Sequence, residues 1–132
     1  MLKGGIFHPQ LSRILAELRH MDTIVIGDAG LPIPKDVERV DLGWRPGDPK
    51  YLDVLEEILK VLVVEKATFA TEALEVTPEF HKKALALLPE GTPVDYIPHK
   101  ELKKRSEDAK AIVLTGEFTG YTNVIITCGC AY

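Results

Sequence analysis

The chain has 132 residues, of which 45% are hydrophobic and 27% charged, the balance of an ordinary globular domain with one hydrophobic core. A net charge of −4 gives no basic footprint for nucleic acid, and no run approaches the ~20 apolar residues that span a bilayer. The opening MLKGGIFHPQ has one lysine and no sustained apolar stretch, unlike a secretory leader, so the expected compartment is the cytoplasm.

Leu11, Ile14, Leu15 and Leu18 recur at helical spacing and Pro9 suits a first turn, which predicts a helix ending near His20. Thr23 to Gly27 reads as a short buried strand, and the Pro/Gly-rich stretch from Asp28 to Pro34 as a loop. Val37 to Leu42 is a second strand, followed by turn-rich residues 44–50. Tyr51 to Val61 is a helix with a broad apolar face, and Ala67 to Thr71 a strand. Thr77 is expected to cap a helix that starts at Pro78 and runs to about Leu88. Val94 to Ile97 is a strand, a short polar helix spans about His99 to Ser106, and Ala111 to Thr115 and Asn123 to Cys128 are the last two strands.

This alternation predicts an α/β fold: a single three-layer domain over residues 1–132, with a mixed, mostly parallel central sheet flanked by helices. The last two strands, joined by seven residues, are close enough in sequence to pair antiparallel. Lys100, Lys103, Lys104 and Arg105 are interrupted by Glu101, Glu107 and Asp108 and read as a solvated helix face. Cys128 and Cys130, two apart on the final strand, would have Cα atoms roughly 6.6–6.8 Å apart, at the upper limit for a disulfide. Two thiols also fall short of a structural zinc set. They read as reduced packing residues.

The dinucleotide, P-loop, nucleophile-elbow and His-x-x-x-His signatures are all absent, and the four histidines are scattered, so nothing suggests a metal. The remaining candidates are polar residues at the ends of elements, because open α/β sheets bind ligands beyond the carboxyl ends of their strands. Asp28 follows the first strand, His99 the fourth, and Gly116 and Glu117 the fifth. His99 and Lys103 share a helical face, and Tyr121 and Asn123, two apart at the start of the sixth strand, would project to one side. Each also has an ordinary reading. His20 can be a charge against a helix dipole, Asp28 a turn former and His99 a helix starter. Lys103 can be a solvated lysine, Tyr121 a half-buried aromatic and Asn123 a turn residue. His8 and His81 are given no role.

At these residues the sequence resembles the D-ribose pyranase family. The matching pieces are Leu18-Arg19-His20-Met21-Asp22, Ile26-Gly27-Asp28-Ala29-Gly30-Leu31-Pro32, Val40-Asp41-Leu42 and Pro98-His99. They end with Thr115-Gly116-Glu117-Phe118-Thr119 leading into Tyr121-Thr122-Asn123. The resemblance runs from about residue 3 to the C-terminus. It departs at Gly27, where alanine is common, and in the tail Thr127 to Tyr132. It implies interconversion of the pyranose and furanose forms of ribose, with assistance to anomer exchange and no metal or organic cofactor. It also implies a homo-oligomer, commonly a decamer of two pentameric rings. The family's catalytic histidine falls on His20, and its sugar-contacting positions fall on Asp28, His99, Lys103, Tyr121, Thr122 and Asn123. The related fucose mutarotases share the histidine and Tyr-x-Asn but usually lack the Gly-Leu-Pro continuation, so Leu31-Pro32 favours ribose. A fucose-type mutarotase and a non-catalytic sugar-binding module are the alternatives.

The chemistry suits these residue types. Opening a hemiacetal ring needs one proton removed and one delivered, and a positioned general acid/base supplies about 10²–10⁴-fold. Histidine, with an unperturbed pKa of ~6.5, both gives and takes protons near neutrality. Spacing adds an expectation about assembly. Five strand residues at ~3.3 Å each put His20 and Asp28 ~16 Å apart, more than a ribose spans. Each pocket should therefore lie between subunits, with His20 of one chain meeting Asp28 and Tyr121 of its neighbour.

Overall fold

In the computed structural model, which describes residues 1–132, six strands form one sheet in the order β2-β5-β1-β6-β3-β4. The strands are β1 (Thr23–Gly27), β2 (Glu38–Asp41), β3 (Val64–Ala70), β4 (Val94–Ile97), β5 (Ala111–Leu114) and β6 (Val124–Cys128). The helices are α1 (Pro9–Glu17), α2 (Tyr51–Leu59), α3 (Glu72–Val76), α4 (Pro78–Leu87) and α5 (His99–Arg105). Five strands run one way. Only β6, inserted between β1 and β3, runs antiparallel to both neighbours.

The sheet is mixed, mostly parallel and covered on both faces, as the alternation of elements required. Ile24, Val25 and Ile26 are all buried, the pattern of a central strand with packing on each side. Ile24 and Ile26 join Leu11, Ile14, Tyr51, Val54, Leu55, Ile58 and Ala84 in the core under α1, α2 and α4. Val25, with Ile112 and Ile125, faces the opposite core that contains Leu102 of α5. Burying each such aliphatic side chain contributes about 1.5–3 kcal/mol, which fixes strand register. In α2 the buried positions 51, 54, 55, 58 and 59 follow one helical stripe. No helix is long and apolar enough to cross a membrane.

Several local expectations need correction. The first helix ends at Glu17, because Leu18 is already extended, so His20 sits in a turn rather than at a helix end. His8 caps this helix, its Nδ1 accepting from the Leu11 N–H at 3.3 Å. Thr77 lies at the start of α4 but its hydroxyl makes no capping bond. A short helix, α3, precedes it and lacked a periodic signal. β5 and β6 do not pair, because β1 lies between them. The last strand starts at Val124, so Tyr121 and Asn123 belong to the preceding turn, and the tail leaves it at Cys128. Both cysteines are free, Cys128 buried and Cys130 exposed. Burial, with a smaller contribution from Asp22, pushes the Cys128 thiol up to about 11.

Candidate functional site

Because β6 runs against its neighbours, its first residues meet the carboxyl ends of the other five strands at one edge of the sheet. Asp28 after β1, His99 after β4, Glu117 after β5 and Tyr121 to Asn123 before β6 all reach this edge. Asp28 is held on three sides. Its N–H donates to Asn123 Oδ1 at 2.9 Å, its Oδ2 accepts from Asn123 Nδ2 at 3.1 Å, and its Oδ1 accepts from the Gly30 N–H at 2.9 Å. Asn123 is fully buried, so its amide acts on Asp28 instead of facing solvent. Gly27 permits this arrangement, since a Cβ there would stand 2.7 Å from Asn123 Oδ1 and from Leu31 Cδ2.

His99 opens α5, with its N–H donating to Glu72 Oε2 at 2.8 Å. Its ring meets Tyr121 edge to face, with centroids 5.2 Å apart and planes at 89°. Burial holds the His99 imidazole below the usual histidine range, and Lys103, one turn further along α5, pushes the same way. Glu72 and Asp28 oppose that shift. His99 Nδ1 is buried without a protein partner. Tyr121 has φ +62°, a left-handed conformation uncommon for a residue with a Cβ and a mark of backbone held by its surroundings.

Thr122 does not present its hydroxyl outward. It is buried, and its Oγ1 donates to the Thr119 carbonyl at 2.8 Å. Glu117 is the organiser of this segment: its Oε1 accepts from Thr119 N and Oγ1, and its Oε2 from the Tyr51 N–H at the start of α2. A cleft of about 320 Å³ opens beside Asp28, lined by Asp28 to Gly30 and Glu117 to Gly120. A larger depression of about 770 Å³, lined by Ile6, Phe7, Val54 and Ile58 among others, holds none of the predicted site residues and is apolar.

Tyr51 and Glu72 are bonded to this edge, Tyr51 through its N–H to Glu117 and Glu72 through the His99 N–H, and neither carries a signal of that place in the sequence. Tyr51 is fully buried with its hydroxyl unpaired, and burial, reinforced by the Asp28 charge, raises its phenol above the ordinary tyrosine range. In the sequence Tyr51 is only one more apolar position of α2, and Glu72 lies in the unpredicted α3.

His20 is the one candidate that the chain does not bring to this edge. It precedes β1, in the turn at the opposite end of the sheet, where its Nε2 lies 2.7 Å from Glu65 Oε2 of β3. No group of three or more His, Cys, Asp or Glu side chains is placed to hold a metal ion.

A six-stranded sheet with one reversed strand, and polar groups gathered by that strand at the carboxyl edge, defines the class of small α/β proteins in which this chain falls. The family model described as the RbsD / FucU transport protein family matches residues 1–131, and the chain belongs to that family. It is 49% identical over 129 residues to D-ribose pyranase 1 of Rubrobacter xylanophilus, covering 98% of both chains. It is 46% identical over 129 residues to D-ribose pyranase of Laribacter hongkongensis, again covering 98% of each. Among solved structures it is similar to Bacillus subtilis RbsD complexed with D-ribose, with a TM-score of 0.95 and 39% identity over the whole of both chains. The fucose mutarotase of Streptococcus pneumoniae, at 23% identity and a TM-score of 0.77, shares the fold.

Proposed function

We propose that this chain is a sugar-ring isomerase that interconverts the pyranose and furanose forms of D-ribose and assists anomer exchange. The observation that carries this reading is its full-length likeness to the Bacillus subtilis protein complexed with D-ribose, together with the Asp28–Asn123 and His99–Tyr121 pairs at the sheet edge. In this reading Asp28, His99, Lys103 and Tyr121 orient the sugar, while Asn123 and Thr122 act mainly by holding Asp28 and the 119–122 turn. Asp28 accepts hydroxyl protons, and Lys103 donates. Tyr121 offers a ring face and a hydroxyl.

His20 carries the proton. It takes the proton of the anomeric hydroxyl while the C1–O5 bond breaks and a water molecule gives a proton to the ring oxygen, the imidazolium then returning its proton to that water, which leaves the open aldehyde. Attack of the C4 hydroxyl on C1, with the reverse proton movements, closes the furanose. Sugars open slowly without help, so about 10²–10⁴-fold from general acid/base action is a sufficient contribution. His20 and Asp28 lie at opposite edges of one sheet, which supports sites built between copies, each His20 serving a neighbour's Asp28 and Tyr121. The assembly proposed is the decamer of two pentameric rings, working in the cytoplasm.

Saturation-transfer NMR on ribose tests the reaction. Pyranose–furanose exchange should quicken with the protein and return to background with His20→Ala. Faster exchange of fucose than of ribose would favour a mutarotase, and binding without exchange a sugar-binding module.

A further inference from the structure

We infer that Glu65 is a positioning residue for His20, fixing the imidazole so that Nδ1 is the atom that exchanges a proton with the sugar. This rests on the reading of His20 as the proton-transferring residue. His20 Nε2 and Glu65 Oε2 are 2.7 Å apart, the distance of a charge-assisted hydrogen bond. An ionised carboxylate only accepts, so the hydrogen between them belongs to Nε2. A neutral imidazole bonded in this way has its lone pair on Nδ1, and a second-partner bond of this kind is how a histidine's tautomer is set. When Nδ1 takes the anomeric proton, the ring becomes an imidazolium with Glu65 already at its other nitrogen.

The two side chains are referenced to the same piece of backbone. His20 sits in a four-residue turn closed by the Asp22 N–H donating to the Arg19 carbonyl at 3.0 Å, and by the Arg19 N–H donating to Asp22 Oδ2 at 2.8 Å. Met21, the third residue of that turn, has φ +70° and donates its N–H to the Cys128 carbonyl at 2.9 Å. Gly129, the next residue along, donates its N–H to the Val63 carbonyl at 2.8 Å and passes so close to β3 that a Cβ on it would lie 3.5 Å from Glu65 Cβ. The end of β6 therefore locates the histidine on one side and the glutamate on the other. The pair itself is open to water, with side-chain exposures of 49% and 45%, so it contributes little to folding. That separates its proposed role from a structural one.

The test compares Glu65→Ala, Glu65→Gln and His20→Ala in the assembled protein. Two readouts are used: kcat and KM from ribose exchange, and the His20 tautomer from magic-angle-spinning NMR of ring-labelled histidine, assigned by the signal lost in His20→Ala. The wild type should show hydrogen on Nε2. Glu65→Ala should release a minor population with hydrogen on Nδ1 and lower kcat about 10- to 100-fold, the scale known for losing the carboxylate partner of a metal-bound histidine, with KM little changed. Glu65→Gln, whose amide oxygen accepts the same hydrogen, should keep the tautomer and recover most of kcat. Wild-type kcat in Glu65→Ala beside an inactive His20→Ala overturns the role of Glu65 alone, as does hydrogen on Nδ1 in the wild type. An active His20→Ala overturns instead the reading on which it rests.

Discussion

Asn123 grips Asp28 at both of its polar groups, accepting from the main-chain N–H at 2.9 Å and donating to the carboxylate at 3.1 Å. Asn123 is fully buried, and truncating it removes both bonds at once. Asn123→Ala should lower stability by about 1–3 kcal/mol in urea unfolding, the usual cost of stranding buried hydrogen-bonding groups. It should also raise KM for ribose through a loosened Asp28. Unchanged KM with the expected loss of stability would remove Asp28 orientation from the account.

Tyr51 presents the opposite case. Its buried hydroxyl has no partner among the groups of this chain. Tyr51→Phe should leave stability equal or raise it by about 1 kcal/mol, and ribose exchange should be unaffected. A drop in melting temperature, or a raised KM, would mean that water or sugar pairs with this hydroxyl.

The separation of His20 from Asp28 across the sheet yields a complementation test. If each site is shared between copies, the His20→Ala and Asp28→Ala proteins should each be inactive. Mixed oligomers should regain part of the activity, because some sites then combine an intact His20 with an intact Asp28. No recovery in oligomers proven to be mixed would place each site within one chain.

Acid should destabilise the fold through two histidines. Burial holds the imidazoles of His81 and His99 below the usual range, aided at His99 by Lys103. The unfolded chain therefore binds protons at a higher pH than the folded one. Their contribution is complete above the unfolded pKa of ~6.5 and is lost as pH falls through that value toward the lower folded ones. Melting temperatures should decline from about pH 7.5 to about pH 5. His81→Phe should flatten part of that decline, since His81 lies between Phe69 and Tyr96 and meets Tyr96 Oη at 2.8 Å. An unaltered slope in His81→Phe would assign the dependence to other groups.

Most of the fold could be read from the chain because its strands are short apolar runs bounded by Pro and Gly, and α2 repeats buried residues at helical spacing. The position of β6 could not. Reversing a strand and inserting it between β1 and β3 changes no local pattern in Val124–Cys128, so the sequence leaves β5 and β6 free to pair. The same limit applies to the site. Asp28, His99 and Tyr121 stand beside recognisable strand ends, whereas Glu65 looks like one more surface charge near a strand start. Its meeting with His20, 45 residues away, arises only when β3 and the turn before β1 flank the same strand. Asn123 and Thr122 were legible as members of a motif, but their inward orientation was not, because the left-handed Tyr121 breaks the strand alternation that seemed to govern them.

The reversed strand works as a ruler. Its first flank, Asn123, sets the carboxylate at one edge, and its last residues, Cys128 and Gly129, set the imidazole and its glutamate at the other. Five buried residues fix the interval between them. A slip of one position along β6 would turn every side chain to the wrong face and misplace both edges together. The length of β6 therefore couples the two edges.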